Sequence, residues 1–120
     1  MIDIQPGFTF LASTPGTYKK HLYIIVVLID TDKALRVNIT TEVGYSDTSC
    51  VLSVGDHSFI KQDSVIRYED TEIISVNKLK EGIKSDKFSP RKPLSKEILE
   101  RIKKGAKDSL YLPPKYLKYF

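Results

Sequence analysis

The chain has 120 residues, 41% hydrophobic and 28% charged, with a net charge of +4, which suits one globular domain and leaves no room for a second. No apolar run approaches the ~20 residues of a membrane span, and the N-terminus MIDIQPGFTF lacks the basic and apolar regions of a secretory signal. The single cysteine, Cys50, can neither pair internally nor build a zinc site, so a cytoplasmic location without a membrane partner is expected.

In chain order, Pro6-Gly7 turns the chain into GFTFL, whose alternation suits a first strand, and Pro15-Gly16 ends it within the loop STPGTYKK. HLYIIVVLID follows, and its β-branched and aromatic content predicts a strand buried on both faces at the centre of the sheet. The polar turn DTDK leads to ALRVNITT, in which Leu35, Val37 and Ile39 share one face and Arg36, Asn38 and Thr40 the other. After the turn GYSDTS come the short strand CVLSV and the connection GDHSFIKQDS. SVIRY and TEIISV predict two more strands, and about six short strands between frequent turns indicate a small antiparallel barrel or sandwich.

The end of the chain reads differently. Residues 84–93 are charged and carry two prolines, as a linker would. Ser95 then suits an N-cap, Leu94 and Leu99 a hydrophobic staple, and Leu94, Ile98, Leu99, Ile102 and Ala106 an apolar helical stripe. The expected organisation is therefore a mainly β single domain with α: a β-barrel body over 1–83, a linker over 84–93, an amphipathic helix packed on the body over 94–112, and an aromatic tail over 113–120.

Charge is distributed unevenly. Residues 1–75 carry six basic side chains against ten acidic ones, and residues 76–120 carry thirteen against five. A basic C-terminal third on an acidic body favours an anionic partner, or else folds back on that body.

The order of features over residues 6–83 resembles the PemK/MazF family of toxin endoribonucleases. Gly7-Phe8 stands near the start of the first strand, Lys20-His21 leads into LYIIVVL, VNITT ends a later strand in Ile-Thr, and DSVIRYEDTEII is similar to the family's last strand pair. The resemblance implies an SH3-like barrel with a C-terminal helix, RNA as partner and substrate, an antitoxin protein partner, a homodimer, and catalysis without a cofactor. Thr40 matches the family's catalytic threonine. His21-Leu22 stands where the family has Arg-Pro, so His21 occupies the place of the catalytic arginine without being one.

Metal-independent RNA cleavage needs a base for the 2′-OH, an acid for the leaving 5′-oxygen and donors that stabilise the phosphorane. His21 and His57 are the only histidines, so together with Thr40 they form the candidate catalytic set. Lys19, Lys20, Arg36, Asn38 and Asp56 are the candidate substrate-binding residues, and Asp56, or equally Asp63, could orient the imidazole of His57. Each residue also has a plain structural reading: His21 as a hydrogen-bonded histidine at the start of a strand, Gly55-Asp56-His57 as a turn with a strand cap, Thr40 on a solvated strand face. Cys50 opens an apolar strand and reads as buried and inert. Two functions follow, a toxin-like metal-independent endoribonuclease acting on single-stranded RNA, or a non-catalytic SH3-like module binding nucleic acid or protein.

Overall fold

Runs of Ile, Val, Leu and Tyr make poor loops and good strands, because branched and aromatic side chains pack on a pleated surface and bury on one or both faces. The computed structural model describes residues 2–13, 19–42, 44 and 46–120. In it such runs form β1 (Thr9–Ser13), β2 (Lys20–Leu28), β3 (Lys33–Thr41), β4 (Val51–Leu52), β5 (Ser64–Ile66) and β6 (Glu72–Ser75), and a seventh strand, β7 (Ser89–Arg91), follows later. Every pairing is antiparallel, in the order β4-β5-β3-β2-β1-β7. The edge of β3 opposite β2 is shared: β6 pairs with Lys33–Arg36 and β5 with Ile39–Thr41. The mainly β class with added helices is thus what the chain adopts. The expected loop over 14–18, with Pro15, Gly16 and Tyr18, and the expected turn residue Tyr45 lie outside the described residues.

Alternation along the long strands gives the sheet two apolar faces. On the inner face Leu22, Ile24, Leu35 and Val37 are fully buried, and they join one cluster with Ile98, Leu99, Ile102 and Ala106 of helix α2 (Lys96–Asp108). Ser95 caps this helix, its Oγ accepting the Ile98 N–H at 3.2 Å, and Leu94 and Leu99 lie in the same core. Gly105 allows α2 to approach closely, since a Cβ there would collide with Tyr68 Oη and the Ser49 carbonyl. Tyr68, fully buried, donates its hydroxyl to the Ile102 carbonyl at 2.7 Å. Beyond α2 a 3-10 turn, Pro114–Tyr119, docks Tyr116 into the core, with Tyr119 and Phe120 packed against it.

On the outer face Phe10, Ala12, Tyr23, Ile25 and Ala34 form a second cluster with Val76 and Leu79 of helix α1 (Val76–Lys84). The sequence reading contains no such helix and assigns its residues to the body and linker. The chain bends into it at Ser75, whose Oγ accepts the Lys78 N–H, while the Asp32 carboxylate accepts the Asn77 N–H at 2.9 Å and holds the first turn against the β2–β3 hairpin. The linker departs from expectation as well, since β7 lies within it. Pro90, opposite Phe10, is tolerated because β7 is an edge strand that needs no outer partner. Among the described residues no helix is long and apolar enough to cross a membrane.

Candidate functional site

His21 is the second residue of β2, and its cross-strand partner on β1 is Ala12. The side chain therefore shares the outer face with Tyr23 and Ile25. Leu22 pairs with Ile39 and Tyr23 with Asn38, and one step back in the same register sets Thr40 opposite His21. Thr40 and Thr41 end β3, and the pairing of Thr41 with Ser64 brings in the segment before β5.

These ends enclose a cavity of about 170 Å³ lined by His21, Lys19, Lys20, Thr40 and Thr41, and by Lys61, Gln62 and Ser64 from the facing segment. It is smaller than the ~300–1,000 Å³ of a drug-sized ligand pocket, a scale that suits one anionic group. Three lysines and one histidine line it, and no carboxylate is among the described lining residues. The His21 ring has no hydrogen-bond or ion-pair partner among the described residues, which leaves both nitrogens open to the cavity. Ser64 Oγ donates to the Gln62 carbonyl at 3.0 Å and fixes the facing wall.

His57 is held elsewhere. Gly55, at φ 104°, turns the loop after β4, and Asp56 Oδ2 accepts the Ser53 N–H at 2.8 Å. His57 is buried, 6% exposed. Its Nδ1 accepts the Phe59 N–H at 3.0 Å, which puts the proton of the neutral ring on Nε2, and Nε2 donates to the Lys92 carbonyl at 2.5 Å. The same carbonyl accepts from Thr9 Oγ1 at 2.8 Å. With both nitrogens engaged, His57 ties its loop to the segment after β7 and has no lone pair or proton to offer a substrate. It does not line the cavity that His21 lines. Asp56 does not orient a catalytic ring either: its second contact is Arg101 Nη1 of α2, at 3.5 Å.

Arg36 and Asn38 share the face of Thr40 but sit further along β3, away from the small cavity. Arg36 pairs with Glu72 at 2.6 Å, donates to the Asp70 carbonyl at 3.2 Å and places its guanidinium 4.6 Å over the Tyr23 ring. Asn38 is 5% exposed, and its Oδ1 has no hydrogen-bond partner. Cys50 is buried, and that burial pushes its thiol above the ordinary value, so it is no nucleophile.

The structure thus gathers His21, Thr40, Lys19 and Lys20, ties Asp56 and His57 into the fold, and carries Arg36 and Asn38 to a second place on the same face. Ile39 and Thr41 of β3 also line the cavity without being among the expected site residues, as do Phe59, Lys61, Gln62 and Ser64 of the facing segment. Only the register between β3 and β5, formed across more than twenty residues, brings that segment to His21. No group of three or more His, Cys, Asp or Glu side chains among the described residues is arranged to hold a metal ion. No family model, curated protein or solved structure matches the chain.

Proposed function

We propose that the chain binds single-stranded RNA with one phosphodiester seated in the His21 cavity and cleaves it there as a toxin-like, metal-independent endoribonuclease. The observation that carries this reading is the convergence of one unpartnered imidazole, one threonine hydroxyl and three lysines on a small cavity lined by no carboxylate. In the proposed reaction neutral His21 takes the 2′-OH proton, and the 2′-oxygen attacks phosphorus. The 5′-oxygen leaves with a proton from a lysine ammonium or water, and a 2′,3′-cyclic phosphate remains. The lysines and Thr40 Oγ1 stabilise the charge that grows on the non-bridging oxygens. An antitoxin protein and a homodimer belong to the same proposal.

Cleavage of single-stranded RNA in EDTA tests it. The wild type should yield ends carrying a cyclic phosphate, and His21→Ala should lower the rate by about 10²-fold to 10⁴-fold. Equal rates in the two proteins would refute the assignment.

A second reading, RNA binding without cleavage, is favoured by the engagement of both His57 nitrogens, which leaves one imidazole for two proton transfers. It predicts a salt-dependent affinity whose slope falls by about 2 in Lys20→Gln/Lys61→Gln and does not change in His21→Ala.

A further inference from the structure

Beside the His21 cavity the outer face opens into a larger one of about 820 Å³, between the sheet and α1. The two have adjacent linings with no residue in common: Ala12 and Ser13 line the larger cavity, and their partners across the β1–β2 ladder, His21 and Lys20, line the smaller. Tyr23, two residues along β2 from His21 and therefore about 7 Å away on the same face, lies on the floor of the larger cavity.

That floor is aromatic. Phe10 and Tyr23 stack with centroids 5.4 Å apart and planes 19° apart, and Phe88 lies 5.3 Å from Phe10. The Arg36 guanidinium over Tyr23 adds another planar surface. Polar groups converge on this apolar floor without being used up. Tyr23 is more than nine-tenths buried, yet its hydroxyl has no hydrogen-bond partner among the described residues. Its cross-strand neighbour Asn38, which does not itself line the cavity, is buried with Oδ1 unpaired. Lys78, Lys87, Glu72 and Glu81 also line the cavity.

We propose that this cavity is a nucleobase subsite, taking the base of the nucleotide adjacent to the phosphodiester held at His21. The inference rests on the RNA reading above and extends it by naming where base contacts are made. Unstacked bases are recognised by stacking on aromatic rings and arginine planes and by hydrogen bonds to their edges. This cavity offers both, one ribose away from a lysine-lined phosphate site. Tyr23 lies between Phe10 and the Arg36 guanidinium, so the outer plane of that guanidinium supplies the stacking surface, and the Tyr23 hydroxyl meets the edge of the base.

The test compares 2′-deoxy hexanucleotides, which cannot undergo the proposed cleavage, with analogues that lack one base at each position in turn, by fluorescence anisotropy. All the oligonucleotides carry the same phosphates, so the comparison isolates the base and needs no altered protein. Loss of the base at one position should weaken binding about 5-fold to 100-fold, with little effect at the others. That selectivity should disappear in Arg36→Gln, shown to be folded by its thermal transition. If every abasic analogue binds like the parent while Lys20→Gln/Lys61→Gln still weakens binding, the base subsite is refuted and the phosphate site stands. If affinity ignores Lys20 and Lys61 as well, the phosphate site fails and the subsite fails with it.

Discussion

The two faces of the sheet are built from alternate residues of the same strands, yet they are finished differently. The inner face is sealed: Leu22, Ile24, Leu35 and Val37 are wholly inaccessible under α2. The outer face is only partly covered, since α1 crosses it and a cavity of about 820 Å³ remains between helix and sheet. Toward the start of β2 and the end of β3 it is left open, and its side chains change from Ile25 and Ala34 to His21 and Thr40. A strand can therefore contribute one set of alternate positions to stability and the other to chemistry with little conflict, because a change on one face does not repack the other. The two histidines divide in the same way, one sealed into the fold and one facing a cavity.

This contrast can be broken most forcefully at α2. Ile102→Ala removes a fully buried side chain from the inner face and should cost about 2–5 kcal/mol in urea unfolding. His21→Leu at the open end should stay within about 0.5 kcal/mol of wild type. Comparable losses from the two changes would mean that the faces are not distinct.

The histidine contrast is smaller but sharper. His57→Leu abandons the hydrogen bonds to Phe59 N–H and Lys92 O and should destabilise the chain by about 1–3 kcal/mol, while RNA affinity per folded molecule stays unchanged. A specific loss of RNA binding or cleavage in a folded His57→Leu protein would return His57 to the site.

The smallest expected effect concerns acid. Burial raises the Asp47 carboxyl, but hydrogen bonds from Ser109 Oγ at 2.5 Å, Ser49 Oγ at 2.6 Å and Ser49 N–H at 3.0 Å outweigh it, and the group is held below its ordinary value. A depressed carboxylate contributes stability above the unfolded value near pH 4, and that contribution is lost as pH falls through the folded value. Ser109→Ala should therefore lower stability by less than about 1 kcal/mol at pH 7, and the difference should shrink below pH 4. A gap that is independent of pH would assign the effect to packing.

The parts of the molecule most legible in the sequence are those in which local pattern and burial agree. β2 and β3 announce themselves through branched runs and alternation, and α2 through Ser95 and the stripe from Leu94 to Ala106. Helix α1 is hidden because Val76 continues the strand-like run TEIISV, although Ser75 followed by Val76, Leu79 and Ile83 carries a cap and a helical spacing. β7 is hidden by Pro90, which matters only in a strand that has neighbours on both sides. In the site, His21, Thr40 and the paired lysines can be read because they flank two recognisable strands. Lys61 and Ser64 cannot, since only the β3–β5 register brings them there. The role of His57 depends on a carbonyl 35 residues away, beyond the reach of any local motif.

The position of β1 between β2 and β7 has a consequence for how the chain is made. β1 finds its first partner as soon as β2 emerges, but its other edge waits for Ser89–Arg91, and the Gly7 carbonyl waits for the Leu94 N–H. At synthesis rates of about 5–20 residues per second that edge stays bare on the ribosome for roughly 4–16 s. During that interval it is a template for strand pairing with a neighbouring nascent chain. The short proline-bearing strand that completes the sheet thus also ends the period in which the growing polypeptide is most exposed to misassembly.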